Sequence, residues 1–394
     1  MNSQEIFTLS DAHVAPTYRR YPVALVRGRG MKLWDADGRE YLDFLAGIAV
    51  CNLGHCHSLV THAIAEQAKR LLHVSNLYYI EPQASLAAEL CCKSFAQKVF
   101  FCNSGAEANE AAIKLARRYG HEVRGVAEGE IITMQRSFHG RTMATLSATG
   151  QEKIQLGYQP LLTGFTYVPF DDPQAVVRAI TSKTCAVMVE PVQGEGGVVV
   201  PRPGYLQELR RICDDHGLLL ILDEVQTGLG RTGRLFAHQH SGMTPDIMTL
   251  AKALGAGFPI GAMLATDKVA NIFGPGSHAS TFGGNPLACS AALASLKAID
   301  TDDILANCQR QGVYLTGRLE TLRERHACIK EIRGLGLMVG VDLGVPVGDI
   351  IQRCLERGIL VGPAGEQTLR LTPPLIVTEA DIETLMTVLD EVLP

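Results

Sequence analysis

The chain has 394 residues, 46% of them hydrophobic and 20% charged, which is ordinary for a globular protein and enough for two or three domains. Thirty-six Lys and Arg against 41 Asp and Glu leave a net charge of −5, so no basic footprint for nucleic acid or an anionic membrane is present. Eleven cysteines include no C-x-x-C, and the first residues form neither a basic start nor an apolar signal core. These features point to a reducing cytoplasmic compartment. No apolar run approaches the roughly 18–20 residues needed to span a bilayer.

In chain order, residues 20–45 alternate with period two around a turn signal at Asp37-Gly38, which predicts a hairpin or small meander. The middle of the chain then repeats short apolar runs: Val99–Cys102, Ile131–Met134, Ala186–Val189, Leu218–Leu222, Ile247–Leu250 and Ile260–Ala265. Each is unbroken by charge, the pattern of a strand buried on both faces of a parallel sheet. Helical patterns lie between them, at Ala106–Arg118, Pro173–Ile180 and Tyr205–His216. A further long helix is expected from Pro286 to about Ala298, and a strand over Leu337–Leu343. The reading is a wound α/β domain over residues 50–285. A smaller α+β domain is assembled from residues 1–49 and 286–394.

Three elements carry chemistry. The run Leu218–Leu222 delivers Asp223 to the mouth of the sheet, where ligands of open α/β folds bind. Lys252 follows the next run among alanines and glycines, where poor hydration lowers the pKa of an amine and makes it nucleophilic toward an aldehyde. The 29 residues separating the two allow one crossover and return. The stretch Cys102-Asn103-Ser104-Gly105-Ala106 passes from strand to helix, and amides at a helix start suit a phosphate. Taken alone, Ser104 reads as a plain N-cap with Glu107 completing a capping box. An anchoring lysine, a carboxylate and an anion site in one chain suggest pyridoxal phosphate, with Phe138 as a face to stack on its ring.

The chain resembles the class III (ornithine-type) pyridoxal phosphate aminotransferases over nearly its whole length. The matching stretches are GHCH at 54–57, FCNSGAEANEAAIKLAR at 101–117, FHGRT at 138–142 and EPVQGEGG at 190–197. LDEVQTGLGRTG at 222–233, AKALGAGFPIGA at 251–262 and STFGGNPLA at 280–288 complete the set. The resemblance implies a type I transferase fold with a mostly parallel central sheet, and a homodimer with active sites shared between subunits. It implies that Lys252 carries the cofactor and that Asp223 faces the ring nitrogen. Gln226 then meets the 3′-oxygen, Gly105 and Ala106 hold the phosphate, and Phe138 stacks on the ring. Ser104, Glu224 and Val225 are also expected against the cofactor, with Thr281 reaching the phosphate from the partner subunit. Arg141 and Ser280 are the positions implied for the amino donor, and Glu195 with Arg370 for a pair that lets one site take two substrates. The activity most strongly implied is transfer of the terminal amino group of N-acetylornithine to 2-oxoglutarate. Ornithine, succinylornithine, N-succinyldiaminopimelate and 4-aminobutyrate are the alternative donors, and an aminomutase or racemase a different outcome on the same cofactor.

Other patterns lead elsewhere. Gly228–Gly233 fits G-x-G-x-x-G, the mark of a nucleotide-binding dehydrogenase, but it starts five residues past the strand's closing Asp and opens no clear long helix. His55, Cys56, His57 and His62 lack a second cluster to complete a tetrahedral zinc site, so no metal is expected. Cys91-Cys92 reads as helix packing, and His139 as support for neighbouring groups.

Overall fold

A computed structural model describes all residues, 1–394. Strands β1 (Leu25–Arg29), β2 (Lys32–Asp35) and β3 (Glu40–Asp43) form the expected antiparallel meander, with Gly38 taking φ 88° at the turn. Seven strands then build the central sheet: β4 (Lys98–Cys102), β5 (Glu130–Met134), β6 (Phe165–Val168), β7 (Thr184–Val189), β8 (Leu219–Asp223), β9 (Ile247–Leu250) and β10 (Gly261–Ala265). Their order is β4-β10-β9-β8-β7-β5-β6. Along β7 and β8, Ala186, Met188, Leu219 and Ile221 join one apolar layer, with helix Gly105–Glu122. Val187, Val189, Leu220 and Leu222 join another, with helix Tyr205–His216. Alternate side chains thus leave the sheet on opposite faces and meet a helix on each, which is why the runs read as apolar throughout.

Two features depart from the sequence reading. All six apolar runs are strands, but β10 runs antiparallel to both neighbours, β4 and β9. Only residues 251–260 separate it from β9, too few for the dozen or more that a parallel crossover needs. The connection from β8 to β9 returns in parallel as expected, yet it holds only a short 3-10 turn, Ala237–His240, and no full helix. The edge strand β6, half exposed and short, was not foreseen.

The chain ends meet. Strands β11 (Glu331–Leu335), β12 (Met338–Asp342), β13 (Ile359–Leu360), β14 (Gly362–Ala364) and β15 (Thr368–Leu371) follow the long helix Pro286–Thr301. Strand β13 pairs in parallel with β3, while β11, β12, β15 and β14 form their own antiparallel sheet. The largest apolar core runs from Met31 to Leu393 and takes in β9, β10 and the helix Pro286–Thr301. No helix is long and apolar enough to cross a membrane.

Candidate active site

Strands β4, β5, β7, β8 and β9 run parallel, so their C-terminal ends open on one edge of the sheet. A cavity of about 420 Å³ lies there, walled by Lys252, Asp223, Gln226, Phe138, Arg141 and the Ser104–Ala106 turn, among others. The three elements picked out in the sequence are therefore neighbours in space.

Asp223 is buried, and its carboxylate accepts three hydrogen bonds. Val225 N–H donates to Oδ1 at 3.0 Å, Asn109 Nδ2 to Oδ2 at 2.7 Å, and His139 Nδ1 meets Oδ2 at 2.8 Å. Asn109 is itself fixed by the Thr249 hydroxyl, which donates to its Oδ1 at 2.7 Å. Burial by itself would lower the His139 pKa, but the bond to Asp223 and the charges of Asp223 and Glu190 outweigh it and hold the imidazole above its ordinary value. The result is an imidazole biased toward its protonated form and hydrogen-bonded against the Asp223 carboxyl group. Asp223 closes β8, and Glu190 directly follows β7. Burial pushes its carboxyl up to about 7, with His139 opposing and Asp223 adding to the rise.

Lys252 sits in left-handed backbone, φ 45°, a strained conformation for any residue with a Cβ. Loss of hydration lowers its pKa. Arg370 lowers it further, while Glu195, Asp223 and Glu190 work the other way. Its amine makes no hydrogen bond or ion pair within the protein, and neither do the Gly105 and Ala106 amides at the start of helix Gly105–Glu122. Ser104 caps that helix, accepting Glu107 N–H at 3.2 Å. Glu107 does not close the box on Ser104; its Oε2 accepts the Asn103 N–H at 2.6 Å, one residue further back. Gln226 Oε1 is buried without a partner, and its side chain presses so close to Gly194 that a Cβ there would lie 2.1 Å from Nε2. An unpaired amine, two unpaired amides and an orphaned amide oxygen around one buried carboxylate fit pyridoxal phosphate, which presents an aldehyde, a phosphate, a phenolic oxygen and a ring nitrogen.

The remaining sequence candidates fall in three places. Arg141 lines the cavity with its guanidinium 5.6 Å from the Phe138 ring centre and in no ion pair. Arg370, on β15 and 2% exposed, is paired with Glu195. Glu224 turns away from the cavity, accepting the Ala237 and His238 N–H groups at 2.6 and 2.9 Å, while the Val225 side chain beside it lines the wall. Ser280 and Thr281 border a separate cavity with Phe100, Glu107 and His278. Of the groups that sequence reasoning passed over, Asn109 carried a signal as the lone amide on the apolar face of its helix, and Glu190 as a second carboxyl at a strand end. Val50 carried none.

A lysine, a carboxylate and an amide cradle gathered at the strand ends of a mostly parallel sheet define a pyridoxal phosphate enzyme of the α/β transferase type. The model of the aminotransferase class-III family matches residues 13–393, and the chain belongs to that family. It is an aminotransferase, and pyridoxal phosphate is its cofactor. It is 51% identical to the acetylornithine aminotransferase of Caldanaerobacter subterraneus over 98% of this chain and 99% of that one. The solved N-acetylornithine aminotransferase of Stenotrophomonas maltophilia superposes with a TM-score of 0.84 at 39% identity, covering 98% of each chain. A structure of Toxoplasma gondii ornithine aminotransferase, described as having partial occupancy of the cofactor at its active site, gives 0.96 at 34%. It covers all of this chain and 94% of that one.

Proposed function

We propose that the protein transfers the terminal amino group of N2-acetyl-L-ornithine to 2-oxoglutarate, giving N-acetyl-L-glutamate 5-semialdehyde and L-glutamate, a step of arginine biosynthesis in the cytoplasm. One observation carries this reading. Of the two arginines near Lys252, Arg141 is free and Arg370 is masked by Glu195. N-acetylornithine has one carboxylate and needs one arginine; glutamate has two carboxylates and needs both. The 51% identity to a relative named for acetylornithine supports the same donor.

In this reading Lys252 holds the cofactor's carbonyl carbon, Asp223 the ring nitrogen, Gln226 the phenolic oxygen, and the Ser104, Gly105 and Ala106 turn the phosphate, with Phe138 and Val225 against the ring. When bound, pyridoxal phosphate supplies an electron sink for the pair released as a C–H bond breaks. With the cofactor bound, Asp223 would keep a proton on the ring nitrogen, and the hydrogen bonds from His139 and Asn109 hold its carboxylate in orientation. Lys252 Nζ, its basicity reduced by burial, takes the proton from the amine-bearing carbon of the donor. Arg141 grips the donor's carboxylate, and Ser280, which lies outside its own chain's Lys252 cavity, reaches the donor from the partner subunit as Thr281 reaches the phosphate. Arg370 takes the α-carboxylate of glutamate once Glu195 swings aside.

Residues 50–285 act as the cofactor domain, and 1–49 with 286–394 as the small domain that carries Arg370. Two chains form a homodimer in which Thr281 completes the partner's phosphate site. The exposed Leu77, Tyr78, Tyr79 and Phe282 support this assembly, since so large an apolar group on one face is unusual for a monomer. The donor is tested by following the bound cofactor's absorbance with N-acetylornithine, succinylornithine, ornithine, N-succinyldiaminopimelate and 4-aminobutyrate, then adding 2-oxoglutarate. N-acetylornithine should give the highest kcat/KM. A higher value for either unacylated amine would sink the reading.

A further inference from the structure

Strained backbone also leads directly into the cavity wall at Val50. Ala46, Gly47, Ile48 and Ala49 have φ values of 51°, 62°, 66° and 59°, so four successive residues wind a left-handed turn. Only one is glycine, and Ile48 is β-branched, the least tolerant type in this region. Strain of this kind persists only where the surroundings over-determine it.

The surroundings are a hydrogen-bonded clamp. Asp43 Oδ1 accepts the Leu45 and Ala46 N–H groups at 2.8 and 2.9 Å. Its Oδ2 meets His55 Nε2 at 2.7 Å, and the His55 backbone exchanges both of its hydrogen bonds with Gly30 between β1 and β2. On the other side, Thr372 N–H donates to Phe44 O, and the Thr372 hydroxyl donates to Leu45 O at 2.9 Å. Thr372 lies two residues beyond Arg370. Ala46 and Ala49 are fully buried, while behind Leu45 and Gly47 an apolar cavity of about 460 Å³ opens.

The turn carries Val50, whose N–H donates to Ala46 O at 2.9 Å. Val50 is the only wall of the active-site cavity drawn from outside residues 103–260. Through Leu45 and Thr372, then, an apolar wall of the cavity is tied to the chain just past the strand bearing Arg370. We propose that the left-handed turn 46–49 is a rigid spacer, with Asp43, His55 and Thr372 as its positioning residues. It sets where Val50 stands in the wall of the cavity that holds Lys252 and Arg141, and so the room left for the carbon chain of an ω-amino donor. The proposal rests on the amino-donor reading above and assigns no contact with the cofactor.

Two variants test it in the holoenzyme. Ala49→Gly accepts φ 59° without a Cβ penalty and so relaxes the turn without adding an atom. Thr372→Val removes the hydroxyl at nearly constant volume and unties Leu45 O. For both, the donor KM should rise about tenfold while kcat stays within about twofold, because misplacing a bound chain weakens its grip more than the chemistry. Cofactor affinity and absorbance should match wild type, and Ala49→Gly should melt no lower. Thr372→Ser, which keeps the hydroxyl, should restore the wild-type KM. An unchanged donor KM in either folded, loaded variant overturns the proposal, as does a fall in kcat alone; should Thr372→Val fail to fold, Ala49→Gly decides. If wild type accepts no acylated amine, the donor reading fails separately, and the variants are then compared on whichever amine the wild type accepts.

Discussion

At the scale of single residues, the site is a matter of which charges are free. Arg141 has no partner and Arg370 has one, so the two should respond differently to truncation. Arg370→Ala should cripple the half-reaction with glutamate by roughly 10–150-fold, the worth of a charge-assisted contact of about 1.5–3 kcal/mol, and spare the acylornithine half-reaction. Arg141→Ala should harm both. Equal losses in the two single-turnover half-reactions of Arg370→Ala would remove the switching role of Glu195. Glu190 makes a separate prediction about pH. Its carboxyl, buried and raised to about 7, binds a proton more tightly in the folded chain than in the unfolded one. The stability this contributes is complete below an ordinary carboxyl pKa and is lost as pH climbs through about 7. Glu190→Gln cannot ionise, and its amide still accepts from Phe138 or Gly194 N–H. The variant should therefore melt like wild type at pH 5 and a few degrees higher at pH 8.5, a gap on the order of 3 kcal/mol. Coincident melting curves at both pH values would show that Glu190 stays charged.

At the scale of elements, what was legible in the sequence followed from burial, and what was not followed from connection. Strands β5, β7, β8 and β9 announced themselves because both faces are covered, and Asp223 and Lys252 because a polar group ending such a run has only the sheet edge to occupy. The reversal of β10 was invisible, since an apolar run carries no direction; the ten-residue link before it was the available clue. The glycine pattern at 228–233 turned out to serve Arg231, fully buried and donating to the Leu337 and Pro373 carbonyls and to Asn52. The left-handed turn at 46–49 had no warning, because alanine and isoleucine do not advertise positive φ. The strand-to-helix turn at Gly105 was read as a phosphate site, and its tightness gives a test. A Cβ on Gly105 would lie 2.8 Å from Val225 Cγ1, on a side chain that lines the cavity. Gly105→Ala must push Val225 aside or move the amides, an overpacking of about 1–3 kcal/mol. Cofactor affinity, measured by titrating the apoenzyme and reading absorbance, should fall about tenfold or more. Unaltered affinity would mean the amides are not what holds the phosphate.

At the scale of the whole molecule, the position of Thr281 becomes a question of which subunit it serves. It lies outside the wall of the cavity that holds Lys252, on a loop with Ser280 whose hydroxyl accepts Gly283 N–H at 3.0 Å and Asn103 Nδ2 at 3.3 Å. Asn103 borders both cavities, so the loop stands one residue away from its own chain's Ser104 turn yet faces outward. Beside it, Phe282 is 59% exposed and Tyr79 wholly so, apolar surface that a two-fold partner would cover. In the proposed homodimer this outward-facing loop would complete the neighbour's site. Two inactive variants distinguish the arrangements: Lys252→Ala, which removes the anchoring amine, and Thr281→Asp, which sets a negative charge against the phosphate. Unfolded and refolded together in equal amounts, about half the dimers should be mixed. In each mixed dimer one site receives both lesions, and the other joins an intact Lys252 to the partner's intact Thr281. Activity should then return to about a quarter of wild type, half the dimers each having one of two sites at work. If Thr281 served its own subunit, each site of a mixed dimer would carry one lesion and nothing would return. Mixed dimers verified by differently tagged chains, and still inactive, would rule the shared site out.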